Sequence, residues 1–171
     1  IETELFFQEE HRNWFIDNTK HIFQKYVDIL LNEHKTGATY DFQTVELEKF
    51  WINFMKGGEF NPEHTHTGQL TWVMYLKVPN MMKEHENFTG NGLGPGSIGF
   101  HYGEGVNGDW AQHTYKYLPE LDGLWIFPAQ LRHQVMPFHT DGTRITVSGN
   151  LYFNPPGQPD DISDQPNSFN G

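Results

Sequence analysis

From residue 45 onward the chain reads as a series of short strands, and this limits the fold more than any other feature. Residues 45–55, 70–78, 97–102, 114–118, 124–127, 134–137 and 144–153 are rich in aromatic and β-branched side chains. Gly57-Gly58, Pro79-Asn80, residues 90–96 and Asp141-Gly142 separate them as turn or loop signals. Seven or eight short strands after a single helix predict a mainly β fold, a double-sheet jelly roll. The aromatic content, 15% of 171 residues, is enough to fill such a core.

The helix is predicted over 16–34. Ile22, Phe23, Tyr26, Val27, Leu30 and Leu31 recur at spacings of three and four and form one apolar stripe. Asp17 is positioned to cap its start, and Lys35 and Gly37 follow its end. This helix is expected to pack on one sheet and to do no chemistry. The organisation expected is one domain over 1–153, with the helix at 16–34 and the β core at 45–153. A Pro- and Asp-rich tail at 154–171 reads as extended or disordered. Residues 81–96 are long for a hairpin connection and read as a lid or binding loop.

Charge and cysteine content exclude several functions. With 11 Lys+Arg against 22 Asp+Glu, the formal charge is −11, which disfavours a nucleic-acid backbone as the main partner. There is no Cys, so no disulfide framework, thiolate metal site or Cys nucleophile is available. No apolar run approaches a membrane span and no signal peptide is visible, so a cytoplasmic protein is expected. The first residue is Ile1 and not Met, which reads as a processed or partial chain.

Most of the ten His fall between His64 and His139, and the sharpest cluster is His64-Thr65-His66. On a strand, residues two apart share a face, so two imidazoles stand side by side and can share a metal ion. The pair precedes the apolar stretch 70–78, which puts it at a sheet rim. His133 follows the strand-and-turn stretch 122–132 and is a third candidate. Farther on, alternation places Arg144, Thr146 and Ser148 on one face. An inward-facing Arg in a β core is costly unless it meets an anion, and a guanidinium beside a hydroxyl suits a carboxylate. Trp72, Tyr75, Trp125 and Phe127 are candidates for an aromatic wall, or for ordinary core.

These stretches resemble the Fe(II)- and 2-oxoglutarate-dependent dioxygenases, and among them the small oxygenase branch of bacteria and marine phages. The resemblance rests on Trp51-Ile52-Asn53, Asn61-Pro62-Glu63-His64-Thr65-His66, the stretch from Leu70 to Pro79, Gly123-Leu124-Trp125-Ile126-Phe127-Pro128 with His133, and the stretch from Arg144 to Leu151. It covers about 51–153. It implies a double-stranded β-helix, cupin-like, that uses Fe(II) and the cosubstrate 2-oxoglutarate with O2 to hydroxylate a small molecule or a protein side chain. Carried over, His64 is the first metal ligand and His133 the last. Arg144 holds the distal carboxylate of 2-oxoglutarate, aided by Thr146. Tyr75 is a candidate to hydrogen-bond the cosubstrate, or a core Tyr. Asn53 either lines the pocket or is a satisfied core amide.

One position departs from the pattern, because His66 stands where a carboxylate is usual. Either His66 is the third ligand, or two His are completed by waters or by Glu63. Strand alternation turns Glu63 away from His64, which favours His66. Two other readings stand beside this one: a cupin-like three-His metalloenzyme that does not use 2-oxoglutarate, and a non-catalytic jelly-roll binding module. A homodimer is compatible with all three. His101 and His113 are expected at the rim of the site and His139 in the loop before Arg144.

Overall fold

The computed structural model describes residues 3–34, 45–102 and 114–153. The tail at 154–171, His113 and the expected helix end at Lys35 and Gly37 lie outside the described residues. The elements in chain order are β1 (Thr3–Phe6), α1 (Glu9–His34), β2 (Glu46–Lys56), β3 (Asn61–His64), β4 (Leu70–Lys77), α2 (Met82–Glu86), β5 (Ile98–His101), β6 (Thr114–Tyr117), β7 (Leu124–Pro128), β8 (Arg132–Val135) and β9 (Thr143–Tyr152). They form two antiparallel sheets, ordered β1-β2-β9-β4-β7 and β3-β8-β5-β6. Strands β2 to β9 are distributed so that the pairs β2–β9, β3–β8 and β4–β7 nest inside one another. That nesting is the jelly roll, and β1 adds a fifth strand to the larger sheet.

The larger sheet has two unlike faces because its strands alternate. On β4, Leu70 and Trp72 face α1, and Met74 packs against that layer, whereas Thr71 and Tyr75 face the smaller sheet. On β9, Val147 and Leu151 face the helix, while Arg144, Thr146 and Ser148 face inward. A register shift between Leu47 and Lys49 in β2 keeps Leu47 and Phe50 on the helix side and turns Trp51, Asn53 and Met55 inward.

The helix is longer than its periodicity predicts. It begins at Glu9, where Glu9 and Glu10 sit favourably in the first turn, so Asp17 is interior and caps nothing. Its buried stripe is Phe15, Phe23 and Val27, flanked by Tyr26 and Leu31, while Ile22 is exposed. Phe15 stacks on Trp72 at a centroid distance of 4.6 Å and an interplanar angle of 9°. The Trp72 ring therefore packs in the layer under the helix, while the residue also borders the cavity that holds the histidines. Two strands escaped the sequence pattern. β1 is a four-residue edge strand, and β3 contains Pro62, a residue that weakens a strand reading.

Gly149 lets that layer close. A Cβ there would lie 2.7 Å from Leu47 Cδ1, 2.8 Å from Trp72 Nε1 and 2.9 Å from the Lys49 carbonyl oxygen. Two of these atoms belong to well-packed side chains and the third to backbone. Gly149→Ala is expected to cost about 1–3 kcal/mol, the usual scale of overpacking. Urea unfolding measures this, and an unchanged midpoint would contradict it.

Candidate metal and anion site

The two inner faces enclose a cavity of about 240 Å³. The smaller sheet contributes a rung of rings. His133 on β8 lies directly opposite His64 on β3 and Phe100 on β5. The larger sheet contributes a polar rung, in which Thr146 lies opposite Asn53 on one side and Tyr75 on the other. Arg144 is the next inward residue on β9 and Ser148 lies on the other side of Thr146.

His64, His66 and His133 converge. One ring nitrogen from each lies within 4.8 Å of the other two. The His64 and His133 centroids are 4.2 Å apart, and His66 is 5.0 Å from each. The premise of a shared strand face holds only in part. His64 ends β3, whereas His66 follows it in a turn and is placed by a hydrogen bond from its N–H to the Ala129 carbonyl, 2.9 Å. His133 lies within β8 and not in the turn before it.

Tautomers follow from the partners. The Nδ1–H of His64 donates to the Pro62 carbonyl at 2.6 Å, and that of His133 donates to the Leu131 carbonyl at 2.9 Å. A carbonyl only accepts, so in the neutral form of each ring Nε2 keeps its lone pair for a ligand. The Nε2 atoms of His66 and His133 face each other at 3.2 Å. Such a close approach suits a shared proton or a shared cation. These donors fit a transition-metal ion bound by imidazole nitrogens.

Burial keeps two of the rings neutral. His66 is lowered to about 3, first by desolvation and then by His133, His64 and Lys49. His133 is lowered to about 4 by burial, with His64 and His101 adding to the shift and the bond to the Leu131 carbonyl opposing it. A free His titrates near pH 6.5, so the unfolded chain takes up protons there that the folded chain refuses. The stability carried by the neutral rings is complete above about pH 6.5 and is lost as the pH falls toward 4 and then 3. The metal-free protein is therefore expected to lose unfolding temperature between pH 6.5 and 4.5. The double variant His66→Ala/His133→Ala should show a shallower decline over that range. An identical pH slope in both proteins would contradict the assignment.

Arg144 is only 3% exposed. Its Nη1 donates to the Gly96 carbonyl at 2.9 Å, its Nη2 approaches Met55 Sδ at 2.6 Å, and its Nε has no partner. The guanidinium carbon lies 5.9 Å from the Tyr75 ring centroid. Burial lowers its pKa and the Tyr75 hydroxyl opposes the shift, but an Arg stays charged. Burial likewise raises Tyr75, against the pull of Arg144. Among the described residues no carboxylate meets Arg144, and no Asp or Glu lines the cavity. A buried cation in a carboxylate-free cavity suits an anion.

The remaining candidates divide clearly. Asn53, Tyr75 and Thr146 line the cavity. Glu63 points away, toward His101 at 3.7 Å and Arg132 at 3.4 Å. His101 also meets Thr114, and His139 lies in the loop before β9 with its backbone N–H on Glu84. Trp125 packs on Tyr117 at 4.2 Å and does not line the cavity, whose aromatic lining is Trp51, Trp72, Tyr75 and Phe127. Trp51 lies 5.7 Å from the His66 ring and was legible beforehand only through its shared face with Asn53. The stretch before Gly96 is anchored near its start. Glu84 of α2 accepts bonds from the backbone of His139 and Thr140, and Met81 packs with Phe138 and Met55.

The family described as "Putative 2OG-Fe(II) oxygenase" matches residues 49–150, more than half of the chain and all of the residues just described around the cavity. The chain belongs to this family. The name of this oxygenase family implies Fe(II) and 2-oxoglutarate. Among solved structures, the chain is similar to an oxidoreductase of the 2OG-Fe(II) oxygenase family from Burkholderia pseudomallei, at 13% identity and a TM-score of 0.45, covering 63% of this chain and 44% of that one. It is also similar to a Pseudomonas putida prolyl-4-hydroxylase, at 14% identity and a TM-score of 0.46, covering 81% and 62%. A cupin superfamily protein from Desulfitobacterium hafniense is similar at 13% identity and a TM-score of 0.34, covering 67% and 73%. The chain thus spans less than two thirds of the length of the first two. No curated protein matches it. Among the described residues no helix is long and apolar enough to cross a membrane.

Proposed function

We propose that this chain is a 2-oxoglutarate-dependent oxygenase that hydroxylates a small molecule or a protein side chain, with the site carried on one domain over 1–153. One observation supports it above the others: the buried, carboxylate-free Arg144 shares a cavity with three histidines whose free nitrogens converge. A three-His metalloenzyme without 2-oxoglutarate leaves that guanidinium without a role.

His64, His66 and His133 would hold Fe(II) through their ring nitrogens. Bound iron supplies the oxygen chemistry that no side chain of the cavity possesses. Arg144 binds and orients the distal carboxylate of the cosubstrate, replacing the weak Met55 contact by charge-assisted bonds. Thr146 and Tyr75 offer hydroxyls on the adjacent rung, and Asn53 an amide. Val73, Ile98 and Phe127 line the same space and limit water.

The test is metal content. Anaerobic dialysis against Fe(II) is expected to load one ion per chain, and His133→Ala is expected to lose it. A wild-type protein that retains no metal would overturn the reading in favour of a jelly-roll binding module.

A further inference from the structure

His66 is the one histidine of the cluster that no strand holds. Its backbone is fastened on both sides, by its N–H on the Ala129 carbonyl and by the Gln130 side chain on its own carbonyl at 3.1 Å. The turn closes at Gly68, whose φ is +92° and where a Cβ would lie 2.7 Å from the Leu151 carbonyl oxygen. The Gln69 N–H on the Leu151 carbonyl at 3.0 Å ties the end of the turn to the larger sheet, and the side chain of the residue after His66 adds a second tie at its start.

That side chain is Thr67, and it joins a one-way chain of hydrogen bonds. The buried Thr71 hydroxyl donates to Asn150 Oδ1 at 3.0 Å, sharing its proton with the Gly149 carbonyl at 3.2 Å. Asn150 Nδ2 donates to Thr67 Oγ1 at 3.2 Å, and the Thr67 hydroxyl donates to Glu48 Oε2 at 2.7 Å. Asn150 is 2% exposed, so its amide has no water to turn to if Thr67 moves. A hydroxyl has one proton. Because Glu48 takes that of Thr67, the Thr67 oxygen must accept from Asn150, which fixes the direction of every link. Glu48 sits at the register break of β2, and its carbonyl accepts Arg12 Nη1 of α1 at 2.8 Å. A bulge beside a functional site commonly re-aims a side chain in this way.

We propose that Thr67 is a positioning residue for His66: the Glu48–Thr67–Asn150–Thr71 chain holds the turn so that the His66 ring meets those of His64 and His133. The inference rests on the reading of His66 as a metal ligand. Partners that orient a ligand without touching the metal typically govern about 10–100-fold in metal affinity.

Co(II) alone is the probe, titrated into the full chain and followed by its visible absorption. Thr67→Val removes the hydroxyl at nearly constant shape from an exposed position, and its circular dichroism and unfolding temperature are compared with the wild type before titration. The expected result is an affinity loss of about 10–100-fold, with Thr67→Ser restoring it. In a His66→Ala background, Thr67→Val should cost nothing further, because its effect runs through His66. Unchanged affinity in Thr67→Val, or an equal loss in both backgrounds, would overturn the positioning role. Failure of the wild type itself to bind Co(II) is a separate result, which removes the metal-site reading before any variant is compared.

Discussion

Replacing Arg144 by alanine is expected to abolish 2-oxoglutarate binding while leaving the metal in place. Removing one partner of a buried ion pair typically costs about 3–5 kcal/mol, or roughly two to nearly four orders of magnitude in dissociation constant. Arg144→Lys keeps the charge but loses the planar fork, and should cost about 1–3 kcal/mol, the scale of a charged hydrogen bond. The ligand-free protein should respond with the opposite sign. It buries a guanidinium whose Nε is unpartnered and whose Nη2 has only a thioether. Arg144→Met therefore raises the unfolding temperature of the ligand-free chain, as hydrophobic replacement of buried charge often does. Calorimetry with and without 2-oxoglutarate measures both effects. Unchanged 2-oxoglutarate affinity in Arg144→Ala would show that the cation serves another purpose.

The second large effect concerns His66, which stands where the resemblance leads one to expect a carboxylate. His66→Ala should lower metal affinity by more than the roughly 10–100-fold expected of a supporting partner. His66→Asp offers a shorter, charged donor from the same turn and should keep iron bound. It also lowers the charge of a site that otherwise holds three imidazoles and one guanidinium. Equilibrium dialysis of the two variants separates the cases. Full metal occupancy in His66→Ala would mean that His66 only lines the cavity.

Much of the architecture was legible because a jelly roll repeats one simple rule, inward and outward alternation, along each strand. The inward set Arg144, Thr146 and Ser148 follows from that rule alone, and the structure places all three around the cavity. The rule is coarser for large rings: Trp72 and Tyr75 both border the cavity, yet Trp72 stacks its ring on Phe15 of the helix because odd and even positions of one strand face opposite layers. The start of α1 was hidden because Asp17, a good capping residue, lies within a helix whose first turn is acidic for a different reason. The histidine pair was found by a strand argument that only His64 obeys. His66 reaches the cluster through a turn, and hydrogen bonds to residues far away in sequence place it. Those partners, like the carbonyl of Gly96 on Arg144, leave no local signal in the chain.

The central claim is that one cavity binds a metal and a dicarboxylate together. Anaerobic calorimetric titration of 2-oxoglutarate into the Fe(II)-loaded chain tests it most directly. The account predicts one molecule bound per chain, with affinity that falls when Fe(II) is withheld and falls again in Arg144→Ala. Absence of binding to the loaded protein, or binding of equal strength without metal and without Arg144, would contradict it.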